Sequence, residues 1–460
     1  MKKIFQVPRK FRYVAYSTPP CANTADDAKY VNNPDFNTPE QWKMMAECGF
    51  DYAQPIGYDQ LEEHIECSMQ GGESAGVKVF VTNYDWSATS LAHLIRQGGT
   101  YEEAWARYEN CKEEMKKHYD KFVKYPSFAG IFGSDEPNGM KFEAIRAAQD
   151  WFAENYPEHE FFANLFPHYA QGWQLFGDWE GSEGYKTYED YVAHFCETVQ
   201  PYTLSFDHYA FIDKHELWGD AFIKPDFFYN LAVIAKYARK LTKDLGRYVP
   251  AYVYLQCMGF EGKRNLEDYE MWAWQCYTSL AFGMHGIQAF CYFSMFKDAD
   301  NDGFAISNAL IDRNGQKTPT YAYVQRALKD IKALEDVYMS YDWEGTKAFW
   351  CGDKCELFKE LEGWEIDKLT DITSVQTDGD LLIGQFEKCQ NTDKKAYMLA
   401  NATNPYPEKR IPFINVSLRF DGVENVTVYK PSAKVEKMTL TDGELQMQIP
   451  CGEGYFIVIE

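Results

Sequence analysis

Short apolar runs alternate with helical segments through roughly the first 340 residues, and this alternation constrains the fold more than any other feature of the chain. Eight such strand–helix units are typical of a (β/α)8 TIM barrel with insertions. A doubly wound sheet is the structural alternative, but no glycine-rich phosphate-binding fingerprint follows any of the strands. The predicted strands are Tyr13–Ser17, Tyr52–Pro55, Val77–Thr82, Phe128–Gly133, Glu160–Leu165, Thr203–Phe206, Ala251–Leu255 and Ile287–Phe293.

The helical segments between these strands carry recognisable start and stop signals. Thr38-Pro39-Glu40-Gln41 is a capping box with proline at the first helical position, and Gly246 is a C-cap candidate. The later predicted helices are Tyr101–Lys124, Gly139–Tyr156, Tyr188–Thr198, Phe227–Leu245, Leu266–Phe282 and Thr320–Val337.

The pattern changes after about residue 338 to short alternating runs separated by Asp-Gly turns. This pattern predicts a smaller antiparallel β-sandwich. We therefore expect two domains, a barrel over residues 1–337 and a β-sandwich over residues 338–460. The predicted sandwich strands are Leu381–Phe386, Ala396–Ala400, Val416–Phe420, Thr427–Tyr429, Leu445–Ile449 and Gly454–Ile459.

The net charge of the chain argues against anionic binding partners. The 46 Lys and Arg residues against 69 Asp and Glu residues give a net charge of −23, which would repel nucleic acids and anionic membranes. Aromatic residues make up 17% of the chain, and neutral ring-shaped ligands such as sugars suit so many aromatic side chains. The sequence leaves the oligomeric state open.

The expected compartment is the cytoplasm. The basic N-terminus is not followed by an apolar signal-peptide core, and the 12 cysteines are scattered without a CxxC pair. Secretion remains the alternative if a signal has been removed. The stretch 271–296 lacks charged residues, but its glycines and polar residues favour a buried helix and a buried strand over a membrane span.

Two strand ends carry the candidate catalytic residues, because barrel enzymes place their sites at the carboxyl ends of the strands. Asp135 and Glu136 leave strand four together, and closely spaced carboxyls push their pKa values apart so that one can act as an acid. The alternative for this pair is an ordinary helix N-terminus. Asp207 ends strand six, where it would be a sugar ligand, a nucleophile or a base, or a structural aspartate bonded to loop amides.

The remaining strand ends supply amide, acidic and aromatic side chains suited to binding sugar hydroxyls and stacking on sugar faces. Gln256 is among them, and it cannot serve as a nucleophile or proton donor. His208 is expected to be buried and satisfied. The predicted substrate-binding residues are Asp135, Tyr16, Asn83, Asp85, Trp86, Asn164, His168, Tyr209, Tyr254, Gln256 and Tyr292.

We expect no metal and no cofactor. The stretch Asp298–Gly303 matches the first half of a calcium loop, but the twelfth position is Ala309 instead of Glu, so a solvated turn is the better interpretation. No zinc motif and no GxSxG motif occurs in the sequence.

The order of the motifs resembles one enzyme family. GSDEPN at 133–138 is followed by NLFP at 164–167, FDHY at 206–209, YLQ at 254–256 and AFGMHGI at 281–287. This resembles TIM-barrel glycoside hydrolases of the clan with an Asn-Glu-Pro acid/base motif after strand four, and is most similar to gut-bacterial members. The resemblance implies Glu136 as the acid/base. It also implies a second glutamate after strand seven as the nucleophile, where this chain has Gln256, and an asparagine where it has Asp135.

The expected substrate is therefore an oligosaccharide or glycoside, and three mechanisms follow. Glu136 acts as the acid with Asp207 as nucleophile or base, which is the favoured mechanism. Alternatively, Asp135 orients a substrate acetamido group that serves as the nucleophile, or the protein binds sugars without catalysis. A different class, a metal-dependent sugar isomerase, would take ligands from Asp85, Glu136, Asp207 and His168.

Overall fold

The computed structural model describes residues 5–22, 34–55, 62–82, 89–177, 187–212, 223–260, 262–294, 307–351 and 363–460. Its first eight strands close into a parallel barrel in chain order, with the eighth strand paired to the first. The predicted barrel is confirmed, and each predicted strand matches within a few residues. The strands are β1 (Arg12–Tyr16), β2 (Tyr52–Gln54), β3 (Lys78–Val81), β4 (Phe128–Asp135), β5 (Glu160–Leu165), β6 (Leu204–Asp207), β7 (Ala251–Gln256) and β8 (Gly286–Phe290).

Helices surround the barrel. The Thr38 hydroxyl caps the first helix, with Pro39 at its start, as the sequence predicts. The long helix expected over 101–124 is divided, because Cys111 leaves helical geometry at φ −102° and ψ 9°. The helices are α1 (Pro39–Cys48), α2 (Glu62–Ala75), α3 (Leu91–Ile95), α4 (Tyr101–Asn110), α5 (Lys112–Val123), α6 (Phe142–Asn155), α7 (Gly172–Phe176), α8 (Tyr188–Val199), α9 (Ile223–Leu245), α10 (Tyr269–Ala281) and α11 (Pro319–Tyr338).

The barrel interior holds aromatic rings above one buried ion pair. Arg12 donates to both carboxylate oxygens of Glu160, at 3.2 and 2.7 Å, and both side chains are almost fully buried. The guanidinium also lies over the rings of Tyr52 and Tyr252, at 4.5 and 4.7 Å. Arg12 begins β1 and Glu160 begins β5, so this pair fills the end of the barrel opposite the strand ends where chemistry is expected.

Two antiparallel sheets follow the barrel and confirm the predicted β-sandwich. Six of the nine strands were predicted, and the sequence analysis missed β9, β10 and β15. A sheet of three strands has the order β10-β13-β16, and a sheet of six has the order β15-β14-β17-β12-β11-β9. The strands are β9 (Tyr341–Phe349), β10 (Ile372–Thr377), β11 (Leu381–Lys388), β12 (Asn391–Asn401), β13 (Phe413–Phe420), β14 (Asn425–Lys430), β15 (Lys434–Thr439), β16 (Glu444–Pro450) and β17 (Gly454–Ile459).

The larger sheet packs directly on the barrel's helices. The Thr346 hydroxyl donates to the carbonyl of Ala281 at the end of α10, at 2.7 Å. Gly384 lies against the same carbonyl, and a Cβ atom at this position would come within 2.0 Å of the oxygen. The Tyr338 ring contacts Phe386 and Phe456 of the sheet, with centroids 5.4 and 5.6 Å apart. The sheet and the helical layer therefore share buried surface.

The described part of the uncharged stretch, residues 271–294, contains the buried helix and the buried strand that the sequence predicts. All residues from Met271 to Ala281 in α10 are buried, and β8 follows after Gly283. Gly283 has a φ of 73°, and its backbone passes so close to Trp343 that a Cβ would lie 2.4 Å from that side chain. Within the described ranges, no helix is both long enough and apolar enough to cross a membrane.

Candidate active site

The end of β4 departs from regular strand geometry where the two acidic residues lie. The pairing with β5 shifts register between Phe132 and Ser134, which aligns Asp135 with Asn164. Glu136 then adopts a φ of 46°, in the left-handed region, while its backbone N–H still donates to the Asn164 carbonyl at 2.9 Å. Successive residues of a regular strand point to opposite faces. The left-handed residue breaks that alternation, and both carboxyl groups interact with Asp207 of β6.

These three carboxyl groups form one cluster. Glu136 hydrogen-bonds Asp207, and burial together with the charges of Asp207 and Asp135 raises the pKa of Glu136 to about 10. Burial and the charge of Asp135 raise the pKa of Asp207 to about 8, against the opposing effect of a hydrogen bond from Asn164. Burial raises the pKa of Asp135 to about 6, again opposed by Asn164. At neutral pH the cluster therefore keeps a proton on Glu136 while Asp135 is mostly ionised.

Asn164 is the side chain that joins two of these carboxyl groups. Its amide nitrogen lies 2.9 Å from Asp207 Oδ1 and 3.3 Å from Asp135 Oδ1. Its oxygen accepts a hydrogen bond from Ser205 Oγ at 2.8 Å, and Ser205 in turn accepts one from Gln288 Nε2 at 2.8 Å. The amide nitrogen of Asn164 therefore faces the two carboxyl groups, and its amide oxygen faces Ser205.

Tyrosines surround the carboxyl cluster. The charges of Asp207 and Asp135 contribute, after burial, to raising the pKa values of Tyr209 and Tyr254 well above the usual range. Tyr16 packs edge-on against Tyr254 with centroids 6.0 Å apart. The structure therefore places Tyr209 and Tyr254 beside the acids and packs Tyr16 against Tyr254. Rings of this kind suit a flat, neutral ligand.

His168 and His208 both pair with one buried carboxylate, Asp226, near the start of α9. His208 Nε2 lies 3.0 Å from Asp226 Oδ2, and His168 Nδ1 contacts the other oxygen. Burial alone would raise the pKa of Asp226, but its interactions with the two histidines outweigh burial and hold the pKa well below the usual range. His208 is buried and hydrogen-bonded, as expected, with its Nδ1 3.0 Å from Asn230 Oδ1.

Two of the predicted ligands have side chains engaged elsewhere. The Gln256 side chain accepts from the backbone N–H of Phe211 at 3.2 Å and donates to the carbonyl of Arg264 at 2.5 Å, so it ties two loops together. Tyr292 follows β8 but packs edge-on against Phe50, with centroids 5.7 Å apart, and is fully buried. Its ring therefore lies in the core instead of among the carboxyl groups.

Several predictions fall outside the described residues. These are the predicted ligands Asn83, Asp85 and Trp86, and the calcium-loop candidate Asp298–Gly303. Among the residues that the structure does describe, no group of three His, Cys, Asp or Glu side chains could hold a metal ion.

Sequence reasoning missed four polar residues near the site. Gln54 accepts a hydrogen bond from the Tyr254 hydroxyl, and it ends β2, so the strand-end rule could have found it. Ser205 and Gln288 lie one step inside the barrel, and the two-residue period of their strands could have indicated that they face inward. Asp226 carried no signal, because its partners are distant in the sequence.

No protein-family profile matches the chain, and no characterised protein matches it in sequence. Solved structures do resemble it. A structure named only as a glycoside hydrolase aligns with a TM-score of 0.50 at 11% identity, covering 100% of this chain and 97% of the other. A glucosidase from Croceicoccus marinus aligns with a TM-score of 0.46 at 10% identity, covering 100% and 97%. A GH5_18 protein from Bifidobacterium longum subsp. infantis aligns with a TM-score of 0.46 at 14% identity, covering 70% and 79%.

Proposed function

We propose that the chain is a glycoside hydrolase, with Glu136 as the general acid and Asp207 as the nucleophile or base. The observation that carries the proposal is the hydrogen-bonded pair of Glu136 and Asp207 at the carboxyl ends of β4 and β6. Glycoside hydrolysis requires one protonated and one ionised carboxyl on opposite sides of the scissile bond. The fold shared with a structure named as a glycoside hydrolase is consistent with this function.

The surroundings of the two carboxyl groups support these two roles. Glu136 has the higher pKa of the pair, at about 10, so it retains the proton that the leaving oxygen needs. Asp207 loses its proton first, at about 8, and Asn164 supports its ionised form by donating to Oδ1. Gln256 occupies the strand-seven position of the resembled clan's nucleophile, but its side chain is bonded to loop backbone. Asp207 is therefore the ionisable group of a neighbouring strand that interacts with Glu136.

The hydrogen bond between the two groups has a geometric consequence. Retaining enzymes hold the two carboxyl groups about 5–5.5 Å apart and inverting enzymes about 6.5–9.5 Å apart, because the scissile bond must fit between them. A bound glycoside must therefore separate Glu136 from Asp207 and replace their mutual hydrogen bond with contacts to its own oxygens. The anomeric configuration of the first product, followed by proton NMR, distinguishes the two outcomes.

The pH dependence of kcat/KM tests the assignment of roles, because it reports the ionisation of groups in the free enzyme. Activity needs Asp207 ionised and Glu136 protonated, so it should rise with an apparent pKa of about 8 and fall with one of about 10. An alkaline optimum would be the result. Both values belong to the coupled cluster as a whole.

The decisive experiment is a screen of aryl glycosides and natural oligosaccharides with the wild type, Glu136→Gln and Asp207→Asn. Each variant should lower hydrolysis by roughly 10³-fold or more while the circular dichroism spectrum stays unchanged. Asp150→Asn makes the same carboxyl-to-amide change on α6, where Asp150 pairs with Arg146 away from the cluster. It serves as the control and should retain turnover. Wild-type rates in either carboxyl variant would refute the proposal.

A second candidate is substrate-assisted hydrolysis of a 2-acetamido sugar, and the adjacency of Asp135 to Glu136 favours it. Here Asp135 would hold the acetamido nitrogen while Glu136 protonates the leaving group. The acid limb of the pH profile would then follow Asp135, at about 6, instead of Asp207. Hydrolysis of N-acetylglucosaminides but not glucosides, together with loss of activity in Asp135→Asn, would select this mechanism.

The domain roles and location remain proposals as well. We assign the reaction to the barrel over residues 1–337 and a supporting role to the β-sandwich over residues 338–460. The expected substrate is an oligosaccharide or glycoside, and the expected compartment is the cytoplasm.

A further inference from the structure

A chain of hydrogen bonds crosses three barrel strands and ends on the carboxyl cluster. It runs from Gln288 of β8 to Ser205 of β6 and on to Asn164 of β5, with donor–acceptor distances of 2.8 Å at both steps. Asn164 then donates to Asp207 and Asp135, at 2.9 and 3.3 Å. We call the three residues Gln288, Ser205 and Asn164 the relay. Each is only 1–2% exposed, so water does not compete for these hydrogen bonds.

We infer that Asn164, Ser205 and Gln288 are positioning residues for the proposed reaction, and that together they hold Asp207 and Asp135 in place as hydrogen-bond acceptors. The inference rests on the proposed function for its catalytic meaning. None of the three relay residues needs to touch the substrate.

Strand geometry explains why Asn164 can join these groups. Ser205 and Asp207 are two residues apart on β6 and therefore face the same side, towards the barrel interior. Asn164 pairs with Ser205 in the register between β5 and β6. The Asn164 side chain therefore reaches two successive inward-facing residues of β6. Its oxygen accepts a hydrogen bond from Ser205, and its nitrogen donates one to Asp207.

The direction of each hydrogen bond follows from the first donor. The Gln288 amide nitrogen occupies one lone pair of the Ser205 hydroxyl, so the serine proton is directed at Asn164 Oδ1. The Asn164 amide then presents its two N–H groups to the carboxyl oxygens. An acceptor facing Asp207 and Asp135 would oppose their ionisation, whereas a donor favours it. The relay therefore favours the ionised form of both aspartates and opposes the effect of burial on their pKa values.

Ser205→Ala is the most direct test, because it breaks the relay with little change in volume. Loss of the serine should weaken the Asn164 bond to Asp207 and raise the titration midpoint of that carboxyl by roughly half to one pH unit. The readout is the ¹³Cγ NMR titration of aspartate-labelled protein, with the Asp207 signal assigned by its loss in Asp207→Asn. Ser205→Thr keeps the hydroxyl and should restore the wild-type midpoint.

Ser127→Ala is the matched control. Ser127 is also a buried serine of the barrel, and its hydroxyl donates to the Met69 carbonyl at 2.6 Å, away from the cluster. This variant loses one buried hydrogen bond of the same kind but should leave the Asp207 midpoint unchanged. Asn164→Leu should produce a larger shift than Ser205→Ala, and Ser205→Ala keeps the test valid if the leucine variant does not fold.

Kinetics give a second readout that a purely structural role would not move. In Ser205→Ala, kcat/KM should fall roughly three- to tenfold below the acidic midpoint and by less than about twofold near the optimum, because only the ionised fraction of Asp207 changes. An unshifted Asp207 titration in Ser205→Ala, or an equal shift in Ser127→Ala, overturns the relay. If no glycoside is turned over, the proposed function fails while the NMR titration still decides the relay.

Discussion

Replacing Glu136 with glutamine should make the folded protein more stable as well as inactive. The glutamate retains its proton in the folded state up to a pKa of about 10, whereas the unfolded chain ionises it near the ordinary 4.5. Between these values the folded state binds more protons, so its stability falls as the pH rises. Glutamine resembles the protonated acid and removes this dependence. The free energy of unfolding of Glu136→Gln, relative to that of the wild type, should therefore increase by about 1.4 kcal/mol for each unit by which the pH rises, or by about 3 kcal/mol from pH 5 to pH 7.

Chemical denaturation at pH 5, 6 and 7, followed by tryptophan fluorescence, measures this difference for the wild type and the variant. Glu424→Gln is a suitable control because Glu424 is exposed in a loop of the β-sandwich, so the same change there removes no buried acid. A Glu136→Gln effect that is flat with pH, or a variant destabilised equally at every pH, would refute the assignment of a buried, proton-retaining acid.

Three further perturbations test other parts of the structure. Gln256→Glu should not create a nucleophile and should lower the melting temperature in calorimetry, because the new carboxylate would face the Arg264 carbonyl that now accepts from the amide. Glu160→Gln should reduce the free energy of unfolding by about 3–5 kcal/mol in a denaturant titration, since it leaves the charge of Arg12 buried without its partner. A loss below about 1 kcal/mol is typical of solvent-exposed ion pairs and would contradict the burial of this pair from water. Asp226→Asn should lower the free energy of unfolding by a few kcal/mol at pH 7. Because the pKa of Asp226 is depressed in the folded state, the difference in stability between wild type and variant should become smaller in acid, where the carboxylate becomes protonated.

The sequence was sufficient to predict the barrel and the positions of its acids. Each strand is an apolar run bounded by turn or capping residues, and the carboxyl ends of parallel strands meet at one edge. Those two facts predict that Glu136, Asp207 and Asn164 lie near one another. In the structure Asn164 bonds Asp207, and Glu136 bonds it from the other strand.

Other features of the site depend on geometry that residue patterns do not encode. The register shift in β4 and the left-handed Glu136 determine that two consecutive acids reach the same partner. The strand-end rule gave no means of knowing that Gln256 would turn to loop backbone or that Tyr292 would pack into the core. Of the missed strands, β15 is mostly exposed and β10 has a single buried residue. Strand β9 does alternate, but its alternation is interrupted at Gly345 and Thr346, which are both buried.

The buried apolar cluster of the helical layer continues without a break into the six-stranded sheet, through contacts such as those of Tyr338 with Phe386 and Phe456. A chain cut between α11 and β9 would leave both pieces with an exposed share of one common core. We therefore do not expect the six-stranded sheet to be a separable domain that recombination could add to or remove from the barrel. We therefore expect the barrel and the six-stranded sheet to unfold in a single transition, and an exchange of parts between proteins would have to carry both together.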